Sequence, residues 1–208
     1  CALAEWQLGA GKGCRNMIFL TFGTGLGAGL ILNGELYSGT NGMAGEAGHI
    51  RLAEDGPVGY GKEGSFEGFC SGGGIAQLGQ VMAEEALDRE EIPSFCQSKG
   101  ELFKVNARTI AEAAEKGDPL ALKIYDIVAD RLGQGLAILV DLLNPEKIVI
   151  GSIFLRQEKL LRPRMEKILN KESLEQSLSV VEVLPAGLGE KLGDYAAVSV
   201  GLRAYQKK

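Results

Sequence analysis

The chain has 208 residues, of which 45% are hydrophobic and 24% are charged, and its formal net charge is −5. This composition is typical of a globular protein with one large or two small domains. The acidic balance argues against binding of nucleic acid or anionic membranes, and no apolar run is long enough to span a bilayer. We therefore expect a cytoplasmic protein, although a DNA-binding module upstream of Cys1 would leave no trace in this composition.

The first residues, CALAEWQL, are expected to form the last turns of a helix that ends in the glycine-rich segment 9–13. No C-x-C or C-x-x-C pair occurs among the four cysteines, which are Cys1, Cys14, Cys70 and Cys96. Isolated cysteines in a chain of this length are typical of buried free thiols, and two disulfides are the alternative.

A strand followed by a glycine-rich bend is the most informative stretch of the chain. Residues 17–22, MIFLTF, have the length and composition of a buried strand. The strand runs into GTGLG at residues 23–27, where glycines leave the backbone amides accessible to a ligand, as a phosphate-binding turn requires. A hairpin turn that binds nothing has the same composition, so the bend by itself is compatible with both interpretations.

Two common nucleotide-binding motifs do not fit this bend. The dinucleotide pattern G-x-G-x-x-G/A matches residues 23–28, but a helix must follow it. Here a short apolar run is followed by Asn33-Gly34, the strongest local signal of a β-hairpin. A P-loop is excluded because Gly13 stands after Gly11-Lys12, where a serine or threonine should hold the metal. The bend therefore joins two strands.

A second glycine-rich loop, residues 39–49, contains the only histidine of the chain. Its sequence, GTNGMAGEAGH, has too many glycines for a helix. Glu46 stands three residues before His49, so that an acceptor and a donor for hydroxyl groups are close in sequence. A lone histidine is more often a packed or solvated side chain, however, and without further context Glu46 and Glu67 would be ordinary surface carboxylates.

The order strand, GTGLG, hairpin and GMAGEAGH resembles the ROK family of sugar kinases and sugar-responsive repressors over essentially the whole chain. The resemblance implies an α/β chain with the actin-like ATPase (ribonuclease H-like) fold, in which helices flank a mixed sheet. The residues implied to bind the phosphates of ATP are Gly23, Thr24, Gly25, Leu26 and Gly27. The residues implied to bind the sugar are Glu46, His49, Glu67, Asn41 and Gly42.

The chain departs from the family at one loop. ROK proteins typically carry a zinc loop of the form C-x-C-G-x-x-G-C-x-E, with the histidine of GExGH as the fourth ligand. The matching residues here retain the glycines but have Val58, Tyr60 and Ser65 in place of the three cysteines. These side chains do not replace thiolates around a tetrahedral zinc, so we predict that no zinc is bound and that another hydrogen bond orients His49.

In ROK kinases the catalytic base and a metal-binding hairpin belong to a first lobe. The base is the aspartate of an Asn-Asp pair and the hairpin has the sequence D-x-G-G-T, and neither motif occurs here. We therefore expect residues 1–208 to form one domain, the C-terminal sugar- and nucleotide-binding lobe, with the N-terminal lobe incomplete. Phosphoryl transfer needs the base and Mg²⁺, so we expect no kinase activity from this chain alone.

The remaining elements are mostly helical. We predict strands at 147–150 and 179–184, a strand end at 50–52, a surface excursion at 89–104, and helices at 75–88, 106–116, 119–143, 155–170 and from 189 to Tyr205. Residues 71–74 are expected to be a flexible start to the first of these helices, with an anion site as the alternative. Gly133 and Gly135 inside the longest helix each cost about 1 kcal/mol relative to alanine. We expect close packing against the sheet to offset this cost, with contact to a ligand as the alternative.

The segment after the longest helix resembles the adenosine motif of the ROK family. It consists of Asn144-Pro145, the apolar strand and Gly151-Ser152, and in the family the backbone after the strand supports the nucleoside. Gly151 and Ser152 would therefore contact ATP. Most members continue with more glycine, whereas Ile153-Phe154 follows here, and a bulkier residue at this point would alter the adenine pocket.

These observations favour an ATP-dependent kinase of a hexose or N-acetylhexosamine. The resemblance implies a homodimer that binds sugar, ATP and Mg²⁺. The replaced cysteines predict that no zinc is bound, and the acidic charge balance predicts that no nucleic acid binds through this region. A sugar-sensing regulator and an inactive fragment are the alternatives. Retention of GTGLG, which a sensor does not need, favours the kinase.

Overall fold

The computed structural model describes residues 1–206, and the side chains of all of these except 190 and 202–206. Within this part of the chain the strands are β1 (Met17–Phe22), β2 (Leu26–Leu32), β3 (Glu35–Tyr37), β4 (Val58–Gly59), β5 (Lys62–Glu63), β6 (Lys147–Ile150) and β7 (Glu182–Pro185). The helices are α1 (Ala2–Leu8), α2 (Phe66–Phe69), α3 (Gly72–Asp88), α4 (Ala107–Glu115), α5 (Pro119–Leu143), α6 (Ile153–Glu172), α7 (Glu175–Leu178) and α8 (Leu192–Gln206). None of the described helices is both long and apolar enough to cross a membrane.

The central sheet is mixed, with the strand order β3-β2-β1-β6-β7. Strand β1 is antiparallel to β2, with Met17 opposite Ile31 and Phe22 opposite Leu26, so the bend at residues 23–25 joins two strands as predicted. Strands β1, β6 and β7 are parallel to one another. The carboxyl ends of β1 and β6 therefore lie at the same edge of the sheet, where parallel α/β sheets bind ligands.

Both faces of the sheet are covered because the side chains of β1 alternate. Ile18, Leu20 and Phe22 are buried on one face, in the main core with helices α2 to α6. Met17 and Phe19 are buried on the other face, where a smaller cluster is completed by Ala2, Leu3, Cys14, Ile31, Val149 and Ala186. Alternation with a period of two is what a strand covered on both faces requires.

Helix α5 has the predicted boundaries because both of its ends are capped. At the start, the Asp118 carboxylate accepts hydrogen bonds from the amides of Leu120 and Ala121, each 3.0 Å long. At the other end, Asn144 adopts a left-handed conformation with φ 41°.

The two glycines within α5 allow two other helices to approach closely. A β-carbon at Gly133 would lie 2.6 Å from the carbonyl oxygen of Met165 in α6, and one at Gly135 would collide with the ring of Phe66 in α2. The predicted packing explanation is therefore confirmed, and the partners are helices rather than the sheet.

Several predicted boundaries are wrong. Helix α3 begins at Gly72, so the expected flexible start is helical: the Ser71 hydroxyl caps it by accepting the amide of Gly74 at 3.0 Å. Residues 50–52 contain a single bridge, between Arg51 and Ser65, in place of a strand end. The last strand begins at Glu182 because the residues before it close the short helix α7.

The cysteines follow the simpler of the two expectations. Cys14, Cys70 and Cys96 are buried free thiols, and burial raises the pKa of each. Cys1 is also free but is exposed, so the expectation of burial is wrong at that position.

Candidate functional site

An open cavity of about 840 Å³ lies at the carboxyl ends of β1 and β6. Its walls are the glycine bend after β1 and the first turns of α3 and α6. The lining residues are Thr21, Gly23, Thr24, Gly25, Leu26, Gly27, Glu67, Gly72, Gly73, Ser152, Ile153 and Arg156. The structure thus brings the predicted phosphate bend together with Glu67 and Ser152.

The bend leaves two amide donors at the cavity wall. The amide of Gly23 donates to the carbonyl oxygen of Gly25 at 3.0 Å, and the carbonyl of Gly23 accepts the amide of Gly72 at 2.7 Å. The amides of Thr24 and Gly25 have no hydrogen-bond partner within the described part of the chain. The bend is therefore fixed in shape by α3 while part of its backbone is free to bind an anion.

Glu67 on α2 holds the other side of the bend. Its Oε2 accepts the amide of Leu26 at 2.9 Å, so this amide of the predicted phosphate-binding set is already occupied. A β-carbon at Gly25 would lie 2.8 Å from the same oxygen, so a larger residue there would displace the carboxylate. The sequence motif identified Glu67, but not its bond to the bend.

Arg156, in the first turn of α6, is a cavity residue that the sequence analysis missed. Its side chain is exposed and has no hydrogen bond or ion pair within the described residues. Ser152, immediately before α6, has φ 57°, an unusual value for a residue other than glycine. No motif in the sequence marks this cation, which the fold brings to the cavity.

A second cavity of about 610 Å³ adjoins the first, because Ile153 and Arg156 line both. Helices α4, α5 and α6 enclose it, and its other lining residues are Ala107, Arg108, Ala111, Glu112, Glu115, Tyr125 and Gln157. The Tyr125 hydroxyl donates to the carbonyl oxygen of Ala107 at 3.2 Å, and burial raises the pKa of this phenol. The combined space is elongated, with the glycine bend at one end and the tyrosine at the other.

The two bulky residues that replace the family's glycines behave differently. Ile153 lines both cavities, as the sequence analysis anticipated for a residue at this point. Phe154 is fully buried in the main core, with the guanidinium of Arg162 5.5 Å from its ring centroid. Of these two residues, only the isoleucine therefore lines the cavities.

The second glycine-rich loop runs beside Glu67 but does not line the 840 Å³ cavity. The carbonyl of Gly45 accepts the amide of Ala28 at 2.8 Å, and a β-carbon at Gly48 would lie 3.2 Å from Cβ of Glu67. The predicted sugar-binding residues of this loop are exposed, and their roles stay predictions. They are Asn41, Gly42, Glu46 and His49.

The side chains that replace the zinc-binding cysteines of the family pattern are not arranged as metal ligands. The Ser65 hydroxyl caps α2 by accepting the amide of Gly68 at 3.0 Å, and the side chain of Tyr60 is 89% exposed. Over the described residues there is no group of three or more His, Cys, Asp or Glu side chains placed to hold a metal ion. The binding of zinc is not tested by this geometry, and its absence stays a prediction.

A lysine contacts His49 from the hairpin that corresponds to the zinc loop implied by the ROK resemblance. Nζ of Lys62 donates to the carbonyl oxygen of His49 at 2.8 Å and lies 3.4 Å from its ring Nδ1. The ring of Tyr60 meets the imidazole edge-on, with 6.3 Å between centroids. Both contacts come from the β4–β5 hairpin.

Comparison with known proteins identifies relatives of two kinds. The model of the ROK family matches residues 1–200. A glucokinase of Halalkalibacterium halodurans is 38% identical over 165 residues, which are 78% of this chain and 49% of that protein. The DNA-binding transcriptional dual regulator NagC of Escherichia coli is 32% identical over 202 residues, which are 95% and 47% of the two chains. The chain thus spans about half the length of these curated relatives.

A solved structure extends the similarity to three dimensions. The crystal structure of a ROK family glucokinase from Streptomyces griseus, in complex with glucose and AMPPNP, superposes with a TM-score of 0.76 at 28% identity. The superposition covers 96% of this chain and 64% of the glucokinase chain. The mixed sheet with flanking helices is therefore the actin-like ATPase fold expected from the sequence. Sequence and structure agree that this chain belongs to the ROK family.

Proposed function

We propose that this chain contributes the nucleotide site and part of the sugar site of an ATP-dependent kinase that phosphorylates a hexose or N-acetylhexosamine. The observation that carries the proposal is the 840 Å³ cavity, in which two unpartnered backbone amides and an unpaired arginine line the same space. A sugar sensor needs neither group. A kinase needs both, because it must stabilise the charge of the transferring phosphoryl group.

The phosphates of ATP would lie along the glycine bend. The amides of Thr24 and Gly25 are the donors, and the first turn of α3 at Gly72 points the positive end of its dipole towards an anion there. Arg156 adds a positive charge from the opposite wall of the cavity. Mg²⁺ would also lie at the phosphates, held by groups outside this cavity.

The nucleoside would occupy the second cavity. Because Ile153 and Arg156 line both spaces, a ligand with its phosphates at the bend can extend between α4 and α6. Gly151 and Ser152 form the turn between β6 and α6, where the backbone can support the base and ribose. Gly151 and Ser152 would then contact ATP, which is the role expected from the sequence.

The sugar would bind at the Glu67 side of the bend. One oxygen of Glu67 accepts the amide of Leu26, and the other has no hydrogen-bond partner within the described chain. This second oxygen would accept a sugar hydroxyl, with Asn41, Gly42, Glu46 and His49 completing the site from the adjacent loop. The sugar hydroxyl and the phosphates would then lie next to each other at the bend, which is the proximity that direct phosphoryl transfer requires.

The specific alternative is a sugar-responsive regulator, which the similarity to NagC favours. A regulator would use the same sugar contacts without turnover. Nucleotide binding separates the two, since only a kinase needs the amides of the bend.

The test is isothermal titration calorimetry of this chain with Mg²⁺·AMPPNP and, separately, with glucose and N-acetylglucosamine. We expect R156Q to weaken AMPPNP binding about tenfold or more, the effect of losing one charge-assisted hydrogen bond, and to leave sugar affinity unchanged. R89Q is the control, because Arg89 is an exposed arginine that pairs only with nearby Glu91. Sugar binding without any nucleotide binding would establish the regulator in place of the kinase.

A further inference from the structure

We propose that Lys62 is a positioning residue that holds His49 in a single tautomer, with the proton on Nε2. The proposal rests on the proposed sugar site, in which His49 supplies a hydrogen-bond donor, but the two contacts that carry it do not involve a ligand. His49 is the only histidine of the chain, so its protonation pattern is measurable without ambiguity.

The chemistry of the two groups sets the direction of the contact. A lysine ammonium has three donors and no acceptor, so a hydrogen bond to the ring requires Nδ1 to be the acceptor. Nζ lies 3.4 Å from Nδ1 and is fixed there by its 2.8 Å bond to the carbonyl oxygen of the same residue. When Nδ1 accepts, the proton of the neutral ring resides on Nε2.

Lys62 is free to serve this purpose. No acidic side chain pairs with it in the described part of the chain, and both of its polar contacts are to His49. Tyr60 covers the ring from the side with an edge-on contact, so the imidazole is restrained in orientation as well as in protonation.

The hairpin that carries Lys62 is rigid for reasons visible in its backbone. Tyr60 and Gly61 at its tip have φ 45° and 74°, the conformation of a two-residue turn with both central residues left-handed. At its base the Gln77 side chain from α3 makes two hydrogen bonds of 3.0 Å to the backbone of Val58.

The hairpin also contacts the element that carries the sugar-site carboxylate. A β-carbon at Gly59 would lie 2.8 Å from Cβ of Glu67, so the hairpin backbone rests directly on α2. One small hairpin therefore fixes the donor His49 relative to the acceptor Glu67. A site with one fixed donor and one fixed acceptor selects hydroxyl groups by their relative orientation, as recognition of a sugar ring requires.

The experiment is long-range ¹H–¹⁵N correlation NMR of the single imidazole, in buffer alkaline enough to keep an imidazole neutral. In the unsubstituted chain we expect Nδ1 to show the shift of an unprotonated nitrogen and Nε2 that of a protonated one. We expect K62M to change the ratio of the two tautomers about fivefold towards Nδ1–H, the effect of one ordinary hydrogen bond. K62R, which keeps donors at this position, should restore most of the ratio.

Lys116 provides the matched control, because it is an exposed lysine whose side chain makes no hydrogen bond or ion pair in the described structure, and K116M should leave the spectrum unchanged. An identical tautomer ratio in K62M and the unsubstituted chain would overturn the proposal. Circular dichroism of each variant separates a local effect from unfolding. If K62M changes the ratio but no sugar binds to the unsubstituted chain, the positioning role stands and the proposed sugar site fails.

Discussion

A single buried carboxylate, Glu5, connects the two ends of the described chain. It is completely buried in α1, where its charge interacts with the nearby Cys1 ammonium, and no lysine or arginine side chain pairs with it within the described residues. Its oxygens accept three backbone amides: Ala10 at 2.9 Å, Gly187 at 3.0 Å and Leu188 at 2.9 Å. The last two bonds join residues that are 182 and 183 positions apart. Glu5 therefore accepts backbone amides of the loop after β7, where no strand pairing would satisfy them.

We expect E5Q to lower the free energy of unfolding by about 2 kcal/mol or more. Glutamine has the same shape, but its amide nitrogen would face a backbone donor, and an unsatisfied buried donor costs about 1–3 kcal/mol in addition to the lost charge-assisted bond. Urea unfolding followed by circular dichroism measures the change. E175Q, at an exposed position, should stay within about 0.5 kcal/mol of the unsubstituted chain. Equal free energies of unfolding for E5Q and E175Q would show that the Glu5 carboxylate does not stabilise the contact between α1 and the loop after β7.

Residue identities in the site were predictable where they belong to a motif, and their contacts were not. The glycine bend followed from the sequence pattern, and Glu67 followed from the resemblance to the ROK family. The bond from Leu26 to Glu67 spans 41 residues and depends on where α2 lies against the sheet. Arg156 and Lys62 belong to no recurring pattern. Only the fold reveals that Arg156 lines the cavity at the glycine bend and that Lys62 contacts His49.

At the scale of elements, the β4–β5 hairpin is held by side-chain hydrogen bonds at the place where the ROK resemblance implies a zinc loop. Arg51 donates to the carbonyl oxygen of Glu63 at 2.8 Å, and Gln77 makes its paired contacts at the other end. Lys62 joins the hairpin to the second glycine-rich loop through the carbonyl of His49. Three side chains thus connect the hairpin to its surroundings.

The hairpin should therefore respond to a side-chain deletion and not to a chelator. We expect EDTA to leave the melting temperature unchanged, and Q77A to lower the free energy of unfolding by about 1 kcal/mol through loss of the two bonds to Val58. Differential scanning fluorimetry and urea unfolding provide the measurements, with Q176A as an exposed control. Elemental analysis completes the test: stoichiometric zinc that EDTA removes with a loss of stability would contradict this account.

Elements with strong local signals were predicted accurately, and those set by distant partners were not. Asp118 and Asn144 mark the ends of α5 in the sequence itself, and the sequence-based boundaries agree with the structure. The start of β7 depends on its register against β6, where Glu182 lies beside Lys147. The apolar residues just before Glu182 have strand propensity, but no neighbouring strand extends far enough to pair with them.

At the scale of the whole molecule, the cavity contains the groups for binding but no free base. Glu67 is the only acidic side chain that lines the 840 Å³ cavity within the described residues, and one of its oxygens already accepts the amide of Leu26. A carboxylate in this position can hold a sugar hydroxyl. It is poorly placed to take the proton of that hydroxyl as well, because the bend depends on the same group.

We therefore expect this chain to bind ligands without turnover. Incubated with Mg²⁺·ATP and glucose or N-acetylglucosamine, it should release no ADP above the sugar-free rate in a coupled spectrophotometric assay, because a general base contributes about 10²–10⁴-fold to such reactions. The same preparation must bind AMPPNP and sugar in the calorimeter, so that inactivity is not mistaken for misfolding. Sugar-dependent ADP release would contradict the expectation, and E67Q would then identify its source: loss of turnover with retained sugar affinity would make Glu67 the base, whereas unchanged turnover would place the base on another side chain.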